Sequence, residues 1–178
     1  MKYYDYLCIM EETKRIEIIG HPQEQNYTCG CATFRTALNS LGLKDVDESD
    51  LERLMGTTRQ SGTHYDLMVE SASNFGLQVK YGDKGTLKEL DKLLDAGWVV
   101  IICFTIIGPH YSVYLGQNGS HIFLYDPDVD KKVSHPLKKF VRSYWKVDIN
   151  EFKPLIAEYG LKVDESYNSD KWWIAYKR

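Results

Sequence analysis

Gln23, Cys29, His110 and Asp126 follow one another along the chain with spacings that can build a thiol-based acyl-transfer centre. In such a centre a thiolate attacks a carbonyl carbon, a base manages the thiol proton, a third group orients the base, and donors receive the charge on the oxyanion. Cys29 supplies the nucleophile, His110 the base, Asp126 the orienting carboxylate and Gln23 a side-chain amide donor. The Cys29 backbone N–H is the second donor. Cys29 also opens an amphipathic stretch with Phe34, Leu38 and Leu41 at i, i+4 and i+7, and the positive end of a helix dipole favours a thiolate there. Gly30, directly after it, is expected to let the chain turn tightly and leave room beside the sulfur. Gln25 and Cys31 repeat the six-residue offset of Gln23 and Cys29, so a second register exists. Cys29 is favoured because a glycine follows it and because Cys31 falls one step inside the helix, where a small residue packs on the core.

The elements that must position these residues can be read from periodicity and punctuation. Tyr4 to Met10 alternates as a half-buried strand does, and Arg15 to Ile19 reads as a second short strand broken by Gly20, His21 and Pro22. The helix from Cys29 ends near Gly42. Asp47 to Met55 and His64 to Phe75 read as further helices, the second stopped by Gly76. Leu77 to Tyr81 is a short strand, and Thr86 with Glu89 has capping-box spacing before Leu87, Leu90, Leu93 and Leu94, with Gly97 at the close. Trp98 to Ile107 is apolar on both faces, as a central strand is. A turn at Gly108 and Pro109 leads into a strand beginning at His110, and the Asn118-Gly119 turn leads into another that ends at Asp126. Antiparallel pairing therefore sets His110 and Asp126 at one end of the sheet. Pro136 to Trp145 and Asn150 to Tyr159 read as helical, and Trp172 to Tyr176 as a closing strand. The expected class is α+β, helices first and then a mostly antiparallel sheet, in a single domain over residues 1–178.

Composition removes several alternatives. With 22 Lys and Arg against 25 Asp and Glu the formal charge is −3, so no basic field is available for nucleic acid or an anionic membrane surface. The first residues show no signal-peptide pattern and the longest apolar run is too short to span a bilayer, so the expected location is the cytoplasm. The four cysteines are expected as free thiols, with Cys8 and Cys103 as small core residues. His21, His64, His121 and His135 read as surface or hydrogen-bonded residues, although His21 is near enough to Gln23 to line a cleft. Cys29, Cys31 and His21 imitate a metal set that no second cysteine pair completes, and neither metal nor organic cofactor is expected. Tyr111, Tyr114, Trp172 and Trp173 read as core aromatics.

The segments QEQNYTCGCATFRTALNSLG, HYSVYLG and LYDPD together resemble the bacteriocin-processing cysteine peptidases of the papain-like clan, which cut leader peptides after a double glycine. In that family a Gln lies six positions before a Cys-Gly pair opening a helix, a His-Tyr begins a later strand, and an Asp-Pro follows one strand on. The resemblance runs from about Ile18 to Asp128 and leaves the C-terminal part unmatched. It implies a papain-like fold, a peptide or protein substrate, and oxyanion, nucleophile, base and orienting roles for Gln23, Cys29, His110 and Asp126. Leader peptidases of the family are typically fused to an exporter with membrane spans and a phosphate-binding loop. This sequence shows neither, so double-glycine cleavage is not implied and stand-alone relatives are the closer comparison. The same centre serves acyl or peptidyl transferases, and a fold that kept only its groove would be a non-catalytic peptide-binding module. Retention of the cysteine favours an enzyme. Substrate identity and oligomeric state are not readable.

Overall fold

Cap residues and apolar spacing decide where each helix begins and ends in the structure, a computed structural model that describes residues 14–152 and 168–178. Helix α1 (Cys29–Ser40) buries Cys31, Phe34, Ala37 and Leu38 against the sheet, and Gly42 follows it in the left-handed region at φ 70°. Helix α2 (Glu48–Leu54) follows Asp47, and α3 (Tyr65–Ser71) is capped by the His64 ring, which accepts from the Asp66 N–H at 3.3 Å. A 3₁₀ turn, Ala72–Phe75, continues α3 up to Gly76. Strand β1 (Gln78–Gly82) then precedes α4 (Leu87–Asp95), which opens with Thr86 Oγ1 accepting from the Glu89 N–H at 3.2 Å. That bond is one half of the expected capping box.

The remaining strands are β2 (Val99–Thr105), β3 (Pro109–Gln117), β4 (His121–Asp126), β5 (Lys131–Pro136), β6 (Lys146–Val147), β7 (Ser169–Asp170) and β8 (Trp173–Lys177). Five of them join β1 in one sheet in the order β1-β8-β2-β3-β4-β5, antiparallel throughout, and β6 pairs with β7. Every residue of β2 is buried because the sheet is covered on both faces. Val99, Ile101 and Cys103 face a core shared with α1, α2 and α3, while Val100, Ile102 and Phe104 face a second core with α4, Phe140 and Trp145. A register shift between Tyr114 and Gly116 interrupts the β3–β4 ladder, and Gly116 takes φ 118° there. The architecture is the α+β arrangement expected from the sequence. Among the described residues, no helix is long and apolar enough to cross a membrane.

Three elements differ from expectation. Arg15 to Ile19 joins no ladder: Ile19 and His21 donate their N–H groups to Ser40 Oγ at 2.9 Å and Thr36 Oγ1 at 3.0 Å, so hydroxyls on α1 take the place of a strand partner. Lys131 to Pro136 forms β5, which the sequence reading missed because this edge strand is charged and largely exposed. Pro136 thus ends a strand, and the helical segment after it is one turn, Leu137–Lys139, that widens into a π turn, Phe140–Tyr144. The expected helix over Asn150 to Tyr159 begins as a 3₁₀ turn, Ile149–Phe152, and its remainder lies outside the described residues. The Tyr4 to Met10 strand and Cys8 lie outside them too.

Candidate active site

The sheet register brings the base to its orienting group. β3 begins at Pro109 and β4 ends at Asp126, and their pairing sets both termini at one edge. There His110 Nε2 lies 2.8 Å from Asp126 Oδ1, with the two side chains 21% and 18% exposed. The Phe104 ring, across the ladder on β2, stands edge-on to the imidazole at 5.6 Å and keeps water from one side of it. Asp126 Oδ1 also accepts from the Asp128 N–H at 3.0 Å, which holds the carboxylate against the ring. Burial opposes a charge on His110, but the hydrogen bond to Asp126 and the nearby Cys29 sulfur outweigh it and raise the ring to about 10. Burial likewise opposes the Asp126 charge, and the ring overcomes it, so that carboxyl sits below its ordinary range.

Cys29 is the first residue of α1, half-buried, and close enough to His110 for its sulfur to raise the ring's affinity for a proton. Nε2 is engaged by Asp126, so Nδ1 is the ring nitrogen left for a further partner. The Cys29 N–H belongs to the first helical turn, where backbone donors have no intrahelical acceptor. Cys31 differs on every count. It is fully buried, its sulfur donates to Thr57 Oγ1 at 3.2 Å, and burial pushes its thiol up to about 11. Gln25, its partner in the second register, is exposed and forms a closed turn with Thr28. His110 thus feels the Cys29 sulfur, whereas the Cys31 sulfur is turned toward Thr57.

Gln23 reaches the same corner through its backbone and its side chain. Its N–H donates to Pro127 O at 3.0 Å and its Nε2 to Asp128 Oδ1 at 3.1 Å. Its Oε1 is buried and has no donor among the described residues. The next residue, Glu24, donates its N–H to Glu48 Oε1 at 2.8 Å. Glu48 is completely buried, and that burial raises its carboxyl above the usual range. Asp128, Glu48, Thr57 and Thr63 support the site without having been singled out in the sequence. For Asp128 the signal was there, as the second acid of the Asp-Pro-Asp run.

Two expectations, for Gly30 and His21, need correcting here. Gly30 does not open space beside the sulfur: a Cβ on it would meet Thr63 Oγ1 at 2.5 Å and Thr63 Cβ at 2.6 Å, so the glycine admits the Thr57 to Thr63 loop against the helix. His21 does not line the cleft, because its ring hydrogen-bonds Asn39, ten residues along α1 from Cys29 and so about 15 Å away. His64 caps α3, His121 is exposed, and His135 packs among Phe104, Phe140 and Tyr144, where burial lowers its affinity for a proton. Cys103 is a core residue of β2, and Tyr111, Tyr114, Trp172 and Trp173 are buried. No group of three His, Cys, Asp or Glu side chains suited to a metal ion occurs among the described residues.

A family model described as the peptidase C39 family matches residues 19–150. The chain belongs to the peptidase C39 family. The match continues past Asp128, where the resemblance read from the sequence stopped, through β5 and the π turn. As a C39 peptidase the chain is an enzyme of the cysteine-peptidase class. It is 33% identical over 107 residues, 59% of this chain and 68% of the other, to an uncharacterized protein of Methanothermobacter thermautotrophicus. Among solved structures it resembles a double glycine motif protease from an AMS/PCAT transporter in complex with the leader peptide, with TM-score 0.61, 20% identity and coverage of 92% of this chain and 93% of that one. It also resembles the peptidase domain of Streptococcus ComA, a bi-functional ABC transporter of a quorum-sensing pathway, with TM-score 0.61, 18% identity and coverage of 89% and 98%. At these identities the likeness to the solved structures is one of fold.

Proposed function

We propose that this C39 peptidase cleaves a peptide bond through an acyl-enzyme on Cys29. The observation that carries the proposal is the 2.8 Å bond between His110 and Asp126, together with a Cys29 sulfur near enough to raise the ring's affinity for a proton. His110, whose affinity for a proton is raised, takes the thiol proton, and the sulfur lone pair attacks the carbonyl carbon. The C=O π pair moves onto oxygen, where the Cys29 N–H and the Gln23 amide receive the charge. Collapse of this intermediate breaks the C–N bond as His110 passes its proton to the leaving amine, leaving a thioester on Cys29. Water, deprotonated by the same ring, then releases the acid. Asp126 keeps the ring oriented throughout and stabilises its charge. The substrate class we infer is a peptide segment, in keeping with the C39 family and with the leader peptide held by the transporter protease of like fold.

p-Nitrophenyl acetate, a small acyl donor that requires no knowledge of the natural peptide, gives the direct test. Mass spectrometry of quenched reactions should show one acetyl group, mapping to Cys29, in the unsubstituted protein and in Cys31→Ala, and none in Cys29→Ala. Acetyl on Cys31, or equal slow modification of every thiol, would refute the assignment. Adding hydroxylamine or a small thiol distinguishes the fates of the intermediate. Release unaffected by acceptor means hydrolysis, whereas acceptor-dependent release would make the protein a transferase.

A further inference from the structure

We propose that Asp128 is a positioning residue whose carboxylate fixes which way round the Gln23 amide points, and so keeps an N–H donor on the oxyanion. The inference rests on the acyl-enzyme reading above and adds a residue to it. A glutamine amide has nearly the same shape when flipped, so packing alone decides poorly between presenting Nε2 and presenting Oε1. A flipped amide would turn an acceptor oxygen toward a developing negative charge, the opposite of what the reaction needs. The surroundings of Gln23 break this tie electrostatically. Nε2 donates to Asp128 Oδ1 at 3.1 Å, and a flip would set Oε1 against a carboxylate, oxygen to oxygen. Having given one N–H to Asp128, Nε2 keeps its other N–H for the oxyanion.

The backbone around Asp128 makes the arrangement rigid. Its own N–H holds Asp126 Oδ1 at 3.0 Å, and the carbonyl of Pro127 receives the Gln23 N–H at 3.0 Å. One short turn, Asp126-Pro127-Asp128, therefore carries the group that orients the base, ties down the backbone of the oxyanion segment, and sets the direction of its amide. The first two functions use backbone or Asp126 atoms and survive substitution at residue 128. Only the third uses the Asp128 side chain, which separates it experimentally from the rest.

The test compares Asp128→Ala, Asp128→Asn, Gln23→Ala and the double variant Gln23→Ala/Asp128→Ala in the full chain. Acylation is followed by the p-nitrophenol burst from p-nitrophenyl acetate, and thiolate reactivity by iodoacetamide, which forms no oxyanion. Releasing the amide to sample both flips and several rotamers should slow acylation by about tenfold in Asp128→Ala, with the iodoacetamide rate unchanged. Asparagine, which still offers an acceptor oxygen, should restore most of the rate. In the Gln23→Ala background, removing Asp128 should have no further effect. The two Gln23 side-chain amide protons, resolved by ¹H–¹⁵N NMR, should lose their shift separation in Asp128→Ala and regain it in Asp128→Asn, whatever the activity. An unchanged or faster burst in Asp128→Ala, the same loss in the Gln23→Ala background, or parallel slowing of alkylation would each overturn the positioning role. A full burst in Gln23→Ala would instead overturn the oxyanion assignment beneath it.

Discussion

Asp126→Asn changes one carboxylate into an amide of the same shape and measures how far the charge on His110 depends on it. Raising the ring from 6.5 to about 10 corresponds to roughly 5 kcal/mol in favour of the imidazolium, at about 1.36 kcal/mol per pH unit. Burial works against that figure, and Asp126 and Cys29 share the favourable part. Assigning about half to Asp126, with some loss to solvent because the ring is 21% exposed, gives roughly 2 to 3 kcal/mol, or about a hundredfold in imidazolium population. The substituted asparagine can still accept the Asp128 N–H through its amide oxygen, so the turn should persist. Limiting iodoacetamide between about pH 5 and pH 10, followed by peptide mapping, reads the reactive thiolate directly. In the unsubstituted protein Cys29 should be alkylated ahead of the other thiols near pH 6, where His110 carries its proton. Asp126→Asn should react about a hundredfold more slowly near pH 6 and converge on the unsubstituted protein near pH 10, where His110 gives up its proton in both. Superimposable profiles would show that the 2.8 Å contact does not sustain the His110 charge, and the ion-pair reasoning would fail with it.

The same group makes stability depend on pH. Because folding raises the His110 value, its contribution is fully present below about 6.5 and is lost as pH rises through about 10. The Tm gap between the unsubstituted protein and Asp126→Asn should therefore be widest near pH 6 and close toward pH 10; a gap that widens with pH would contradict this. Cys31→Ala should keep the fast alkylation at Cys29 and lose about 1 to 2 kcal/mol in thermal unfolding through the missing Thr57 contact, and loss of the fast label would return the nucleophile to Cys31. Gly30→Ala drives a methyl group into Thr63 and should cost about 1 to 3 kcal/mol, which an unchanged Tm would disprove. Burial raises the Glu48 carboxyl, so its charged form weakens the fold as pH climbs above the usual carboxylate range. Glu48→Gln keeps an acceptor for the Glu24 N–H and should gain stability over the unsubstituted protein between about pH 4 and pH 8, read as a relative rise in Tm.

Residues that act through their own type and local spacing could be read from the sequence, and residues that act through distant contacts could not. The sequence showed where Cys29, His110 and Asp126 sit in the fold, Cys29 opening an amphipathic helix and the other two lying at the outer ends of two strands joined at Asn118-Gly119. What surrounds Cys31 needed a three-dimensional fact, since the Thr57 to Thr63 loop packed on it lies more than twenty residues away. The role of Gly30 was misread for the same reason, Thr63 being the neighbour that requires it. β5 escaped notice because an edge strand solvated on one side has no apolar alternation to display, and Lys131, Lys132 and His135 look like loop residues. Arg15 to Ile19 shows the converse. Its alternating pattern is real, but half-burial against hydroxyl-bearing positions of a helix produces the same pattern as half-burial in a sheet.

A site assembled from a helix terminus and a sheet edge can come apart if the two shift by even an ångström, and the sequence places Cys29 and Asp126 on different supports. The link between them is the Gln23 to Thr28 segment. It is fastened to the sheet edge by Gln23 on Pro127 and Asp128, and to α2 by Glu24 on Glu48, immediately before α1 begins. Displacing the Asp-Pro-Asp turn would therefore disturb the base and the oxyanion donor together, because both are held by consecutive residues of one short loop. Sulfur, ring and amide thus share a frame, and within it the buried Glu48 carries an electrostatic penalty while anchoring the segment that bears Gln23. Loss of that anchor in Glu48→Ala should lower the acylation rate more than the iodoacetamide rate, since the former needs the Gln23 amide in place and the latter needs only Cys29 and His110.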